Sequence, residues 1–231
     1  MRIFDLILEL IYPKRCIICG EILDYGTEDD ICGNCTERAE YATDIDFKKA
    51  AEENMGEKPY FDNCNSVFYY DYVKFAVEHF KFKGYKKDAV ILGRIMYEYG
   101  VENNIFDDID FMVSVPIHKS RYRKRGFNHA FELAKEIGKH SGIKAYDDYL
   151  KRVKKTKPQY MLKVDERREN IKDAFEMAES KNVKGRKILL IDDIFTTGGT
   201  VNECAAVLKK NGAEKVDVFT LSVSALNRKE E

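Results

Sequence analysis

No apolar run in this chain of 231 residues is long enough to cross a membrane, a span that takes about 20 residues. The first eleven residues are apolar but are broken by Asp5 and Glu9, and no small-residue cleavage site follows, so they do not read as a signal peptide. Ile3, Phe4, Ile7, Leu8 and Ile11 recur at helical spacing, which predicts a helix docked on the protein or on a partner rather than an anchor. Net charge is also nearly absent: 39 basic residues face 40 acidic ones, for a formal charge of −1. Global electrostatics therefore will not pull the chain onto nucleic acid, and any such contact falls to local basic runs. Neither G-x-x-x-x-G-K-[ST] nor G-x-G-x-x-G occurs, which removes the two best-known nucleotide loops. There is no internal repeat and no low-complexity segment. What remains is a globular composition, 44% apolar and 34% charged, able to bury one substantial core plus a small module. The expected location is cytoplasmic.

The most informative stretch runs from Ile188 to Thr200. Four apolar residues, Ile188 to Ile191, read as a strand buried in a parallel sheet. Asp192 and Asp193 follow at once, then Thr196, Thr197, Gly198, Gly199 and Thr200 open a helix that shows Val201, Cys204, Ala205 and Leu208 on one face. Thr200 and Glu203 have capping-box spacing, and Gly212 is a natural stop. A small-residue turn leading into a helix presents N–H groups and the positive end of the helix dipole to an anion. Two carboxylates would repel a bare phosphate. They fit a ligand that also carries sugar hydroxyls for them to accept from, or hydrated Mg²⁺. The blander alternative is an Asx-rich turn capping an ordinary helix. The pattern of apolar strand, Asp-Asp, two residues and Thr-Thr-Gly-x-Thr resembles the phosphoribosyl pyrophosphate (PRPP) motif of type I phosphoribosyltransferases.

Cys16-x-x-Cys19 and Cys32-x-x-Cys35 form two pairs twelve residues apart, with Gly20 and Gly33 free to fold backbone around a metal. Four thiolates suit tetrahedral Zn²⁺ in a closed structural site. A disulfide pair, a redox CxxC and an iron–sulfur cluster are the alternatives. Cys204 falls on an apolar helix face and reads as core.

Residues 43 to 63 read as a connector with some helix. Ser66 to Tyr70 is a strand candidate; Val73 to Phe82 and Ala89 to Tyr99 are helices. Strand and helix then alternate: Phe111 to Val115, helix Asn128 to His140, Lys144 to Leu150, Phe175 to Ala178, Ile188 to Ile191, helix Val201 to Lys210, and Val216 to Val223. Such alternation predicts a parallel α/β sheet covered on both faces, with the ligand beyond the carboxyl ends of the strands, where Asp192 falls.

Two basic segments remain. Pro116 to Asn128 is a loop carrying Ile117, His118, Lys119, Arg121 and Arg125. It reads equally as a diphosphate-binding loop facing the Asp192 crevice and as a solvated turn. Lys151 to Lys172 is a long polar segment, suited to a lid that keeps water from an activated sugar, or to a single-strand nucleic-acid surface using Tyr160.

Taken in order, the CxxC pairs, Val115-Pro116-Ile117-His118, Gly126-Phe127-Asn128, Thr156-x-x-Gln159, Arg167-x-x-Asn170 and the Asp192 motif resemble the ComF family, phosphoribosyltransferase-like proteins associated with DNA uptake and competence. Ser114, His129, Asp173 and Gly199 depart from residues common there. The resemblance implies a type I phosphoribosyltransferase fold, a central parallel sheet flanked by helices and preceded by a small zinc-knuckle module. Its implied domains are an N-terminal helix and zinc module over 1–42, a connector over 43–63 and a phosphoribosyltransferase-like domain over 64–231. It further implies that Asp192 and Asp193 hold the ribose hydroxyls and organise Mg²⁺, that Thr196 to Thr200 cradle the 5′-phosphate, and that Ile117 to Lys119 bind pyrophosphate with Arg121 and Arg125. Implied partners are PRPP or a related phosphoribosyl ligand, and single-stranded DNA or DNA-uptake proteins. The implied activity is transfer of phosphoribose to an acceptor the sequence does not name, or ligand sensing without turnover.

Overall fold

The computed structural model describes residues 13–83, 86–154 and 171–224. The expected N-terminal helix, and the centre of the basic segment with Thr156, Gln159, Tyr160, Arg167 and Asn170, lie outside them.

A five-stranded sheet organises the chain, built from β1 (Asn63–Tyr69), β2 (Phe111–Ser114), β3 (Ala145–Tyr146), β6 (Lys187–Phe195) and β7 (Lys215–Val223). Its order is β1-β7-β6-β2-β3 and every pairing is parallel. Two further strands, β4 (Leu150–Arg152) and β5 (Phe175–Met177), make a separate antiparallel pair. Among the described residues the helices are α1 (Gly33–Glu37), α2 (Phe47–Met55), α3 (Tyr70–Lys83), α4 (Lys86–Glu102), α5 (Lys119–Arg125), α6 (His129–Ser141) and α7 (Gly199–Lys210).

Continuous apolar strands need cover on both faces, and the chain supplies it. Leu189 and Ile191 of β6 join Met112, Phe219 and Leu221 in one core closed by α3, α4 and α6. Ile188 and Leu190 join Val113, Val216 and Val218 in a second core closed by α2 and α7. Two of the covering helices show the apolar stripe turned inward: Leu133, Ala134 and Ile137 from α6, and Val201, Cys204, Ala205 and Leu208 from α7, are buried. The connector is drawn into the second core through Phe47, Ala51 and Met55.

Several local expectations need correction. The strand expected over Lys144 to Leu150 is split, because Tyr146 and Tyr149 both pack on Phe111 (ring centroids 5.6 and 4.9 Å apart) and the chain bends between them. β6 does not stop at Ile191; β7 runs beside it, pairing Asp192 with Thr220 and Phe195 with Val223, so the acids lie within the strand's last turn-free residues. The capping box does not form. Gly198 is the N-cap of α7 with no side-chain cap, and the Glu203 carboxylate instead accepts from the Asp173 N–H at 3.3 Å. Gly33 simply begins α1, whereas Gly20 has φ +80° and does the turning the knuckle requires.

Candidate functional site

β6 and β2 are parallel neighbours, so their carboxyl ends lie at one edge of the sheet, and the acids of β6 stand there. The β6–β7 register steps over Asp193, running from Asp192↔Thr220 to Ile194↔Ser222. Strand alternation is disturbed there: Ile191 and Ile194 both pack against the α3/α4/α6 core, and Phe195 returns to the other. The two acids consequently meet different layers. The Asp193 carboxylate lies 3.0 Å from the Lys81 ammonium of α3. Burial would push this acid up, but Lys81, His129 and Arg125 outweigh it and hold it below the usual carboxylate range. Asp192 accepts the Asp193 N–H at 2.9 Å. Burial, then the charge of Asp193, pushes it up to about 7 against the pull of Lys81 and Arg152. Lys81 and buried His129 thus stand beside the acids without having been singled out by the sequence as site residues, whereas Arg152 belongs to the basic segment read there as a lid. A lysine in an amphipathic helix carries no mark of what its tip will meet once the helix is docked.

Beyond β6 the chain turns into α7. Gly198 has φ +81°, and a Cβ there would come within 2.9 Å of the Phe195 ring and 3.1 Å of Ala51. Only glycine fits that corner. Gly199 is less constrained, since its Cβ would meet nothing nearer than Thr197 Oγ1 at 3.7 Å. Thr196, Thr197, Gly199 and Thr200 are half-buried around the first turn of α7, the end at which a helix points its N–H groups outward.

The basic segment after β2 is ordered rather than a loop: Lys119–Arg125 is α5. Its start is fixed by His118, whose Nδ1 accepts from the Ser120 N–H at 3.2 Å. Its end is Gly126, in the left-handed region. Asn128 ties the segment back by donating to the Val115 carbonyl (3.1 Å) and the Ser114 hydroxyl (3.3 Å), which accounts for a serine at that position. Ile117 and His118 are half-buried beside the end of β2, and Lys119 is exposed. Of the two arginines, Arg125 acts on the charge of Asp193 and Arg121 on that of Arg152. The antiparallel pair β4–β5 flanks residues 155–170 and carries Arg152, whose guanidinium stacks 5.1 Å from the Phe175 ring centroid. The end of β6 is therefore an acid pair that feels the charges of Lys81, Arg125 and Arg152, with Arg121 near enough to act on Arg152.

The second constellation packs on the N-terminal half of α3, where the Tyr72 hydroxyl reaches the Cys35 carbonyl. The sulfurs of Cys16, Cys19, Cys32 and Cys35 all fall within 4.8 Å of one another. Cys19 and Cys32 are 3.8 Å apart, which is about the edge of a tetrahedron with Zn–S bonds of ~2.3 Å. Arg15 bridges Ile22 across the first knuckle, and the Gly20 N–H donates to the Cys16 carbonyl at 2.9 Å. Backbone N–H donors draw the Cys16 thiol down to about 7 despite its burial, while burial and the neighbouring sulfurs drive Cys35 up. A zinc ion takes its cysteine ligands as thiolates and shares their charge.

With this geometry in hand, comparison with known proteins is decisive. A phosphoribosyl transferase domain model matches residues 123–230, and a double zinc ribbon domain model matches residues 7–58. Competence protein F of Haemophilus influenzae is 28% identical over 212 residues, which is 90% of this chain and 83% of that protein. Competence protein ComFC of Bacillus subtilis is 32% identical over 165 residues, 69% of this chain and 63% of that protein. The chain belongs to the ComF family. A further relative, DNA utilization protein YhgH of Escherichia coli K12, is 35% identical over 112 residues, 48% of each chain. The chain thus spans most of Competence protein F but about half the length of YhgH. As expected for ComF proteins, the fold is that of a type I phosphoribosyltransferase behind a zinc ribbon, and the four cysteines are a structural zinc site. Among the described residues, no helix is long and apolar enough to cross a membrane.

Proposed function

We propose that this ComF chain binds PRPP with Mg²⁺ and transfers its phosphoribosyl group to an acceptor. The observation that carries this reading is the end of β6: two carboxylates under the charges of Lys81, Arg125 and Arg152, with a small-residue turn and a helix start immediately beyond. A site with both signs of charge in one crevice suits a ligand with both kinds of group. The vicinal hydroxyls of a ribose donate to Asp192 and Asp193. The 5′-phosphate lies over the N–H groups of Thr196 to Thr200. The diphosphate meets Ile117 to Lys119 with Arg121 and Arg125 in support. Two carboxylates at one strand end are oxygen donors of the kind Mg²⁺ takes, and Asp192 and Asp193 would hold it through water. The metal, when bound, neutralises the leaving diphosphate. The chain's own part is to orient the sugar and to stabilise charge as the bond to C1 opens.

Isothermal titration with PRPP and Mg²⁺ tests the reading. Asp192→Asn with Asp193→Asn is expected to weaken binding at least about tenfold while leaving the far-UV spectrum unchanged. Equal affinity in the variant would remove the role given to these acids. Release of pyrophosphate on adding nucleobases would identify turnover. Binding without release would favour a second reading, a phosphoribosyl-ligand sensor in DNA uptake, which the names of the relatives support.

A further inference from the structure

An acid pair that recruits a divalent cation by itself would be expected to stand open to solvent with both charges uncompensated. This pair does not. The Lys81 ammonium is 3.0 Å from Asp193 Oδ2, and the two side chains are only 17% and 14% exposed. Lys81 is delivered by α3, which covers the face of the sheet opposite helix α7, so it reaches the acids from the layer away from the turn. One of the two negative charges is therefore cancelled by the chain itself. Arg125 and Arg152 add positive potential from the sides. The remaining carboxylate oxygens are suited to accept hydroxyl protons, which needs lone pairs rather than net charge.

We propose that Lys81 is a positioning residue that serves as the built-in cation of the acid pair, so that the diol of a ribose 5-phosphate is bound without Mg²⁺ and the metal enters only with a diphosphate. The inference rests on the proposed phosphoribosyl site and deepens it. Lys81 holds the Asp193 carboxylate in one orientation through a short charge-assisted hydrogen bond. It thereby keeps the pair from repelling the sugar's own phosphate. A neutral side chain of similar length would leave two adjacent carboxylates, and a dication would then be needed to fill the gap.

Isothermal titration with ribose 5-phosphate, with and without added Mg²⁺, tests this on the full chain. Wild type should bind equally well in both buffers. Lys81→Met should lose roughly tenfold or more without Mg²⁺ and recover part of it with Mg²⁺, and Lys81→Arg should stay close to wild type. A merely structural lysine would give a loss that Mg²⁺ does not repair. Three results overturn the inference while leaving the phosphoribosyl reading intact: a wild type that needs Mg²⁺ for ribose 5-phosphate, a Lys81→Met chain that binds like wild type, or a wild type that takes PRPP with Mg²⁺ but not ribose 5-phosphate. If wild type binds neither compound under either condition, the reading and the inference fall together. The wild-type arm stands even if Lys81→Met folds poorly.

Discussion

Single residues at the crevice carry conformational and protonation costs that can be measured. Gly198 and Gly199 are adjacent and chemically identical, yet only Gly198 has a positive φ and a blocked Cβ position. Gly198→Ala is expected to cost about 1–3 kcal/mol, and Gly199→Ala to be neutral or slightly stabilising. Urea denaturation of the two variants checks this; similar midpoints would contradict it. His129 is 1% exposed, its Nε2–H donates to the Phe80 carbonyl at 3.2 Å, and its Nδ1 is buried with no hydrogen-bond partner. Burial pushes the imidazole from 6.5 down to about 4, with Arg125 and Lys81 acting in the same direction against Asp193. Between those values the unfolded chain takes up a proton that the folded chain refuses, so this residue costs stability as pH falls from 6.5 to 4. His129→Gln should remove on the order of 2 kcal/mol of that loss. Asp192 has the opposite sign, because an acid pushed up to about 7 loses folded-state stability as pH rises from its ordinary 3.8. Its contribution cancels when wild type and His129→Gln are compared at each pH. Unfolding curves that shift in parallel for both chains would refute the assignment to His129. The acids, threonines and glycines of this site were legible because they are consecutive. Lys81 and His129 were not, because they come to the acids only after α3 and α6 have packed.

Elements were legible in proportion to the length and purity of their pattern. The apolar run at 188–191 identified β6, and the buried faces of α6 and α7 follow the helical spacing of their apolar residues. β3 is two residues long and joins the sheet through the aromatic packing on Phe111, a tertiary cause that no local pattern announces. α5 was hidden for a similar reason, since its cap is a histidine and none of its residues is buried. Elements also hold one another in ways that show only in three dimensions. The side chain of Asn202 on α7, 2% exposed, accepts the Tyr60 N–H at 2.6 Å and so fixes the segment entering β1. Asn202→Ala is expected to cost about 1–3 kcal/mol, since it leaves that N–H without its acceptor. A change below a few tenths in a thermal or urea melt would show that water replaces the amide.

At the scale of the whole molecule, the zinc ribbon is part of the main core. Cys16, Ile17, Ile18, Leu23 and Cys35 share a buried cluster with Val73, Ala76 and Val77 of α3, and the Tyr72 hydroxyl donates to the Cys35 carbonyl at 2.8 Å. Structural zinc contributes on the order of 10 kcal/mol to its own module. Here its loss should also loosen α3, and with it Lys81. One zinc per chain is expected by metal analysis. Chelation, or Cys16→Ser with Cys35→Ser, should lower the melting temperature of the whole chain in a single transition. A melt unchanged by zinc removal, or one that separates into two steps, would contradict this coupling.

The sheet order has a consequence for how the protein is made. β7 is the last described strand in the chain, yet it lies between β1 and β6, and it pairs Asp217 with Asn63, 154 residues away. Until residue 223 has left the ribosome, β1 has no neighbour in the sheet and one edge of β6 is bare. β7 therefore enters as a middle strand after both of its neighbours have been made, and until it does their open edges must be kept from pairing with other chains.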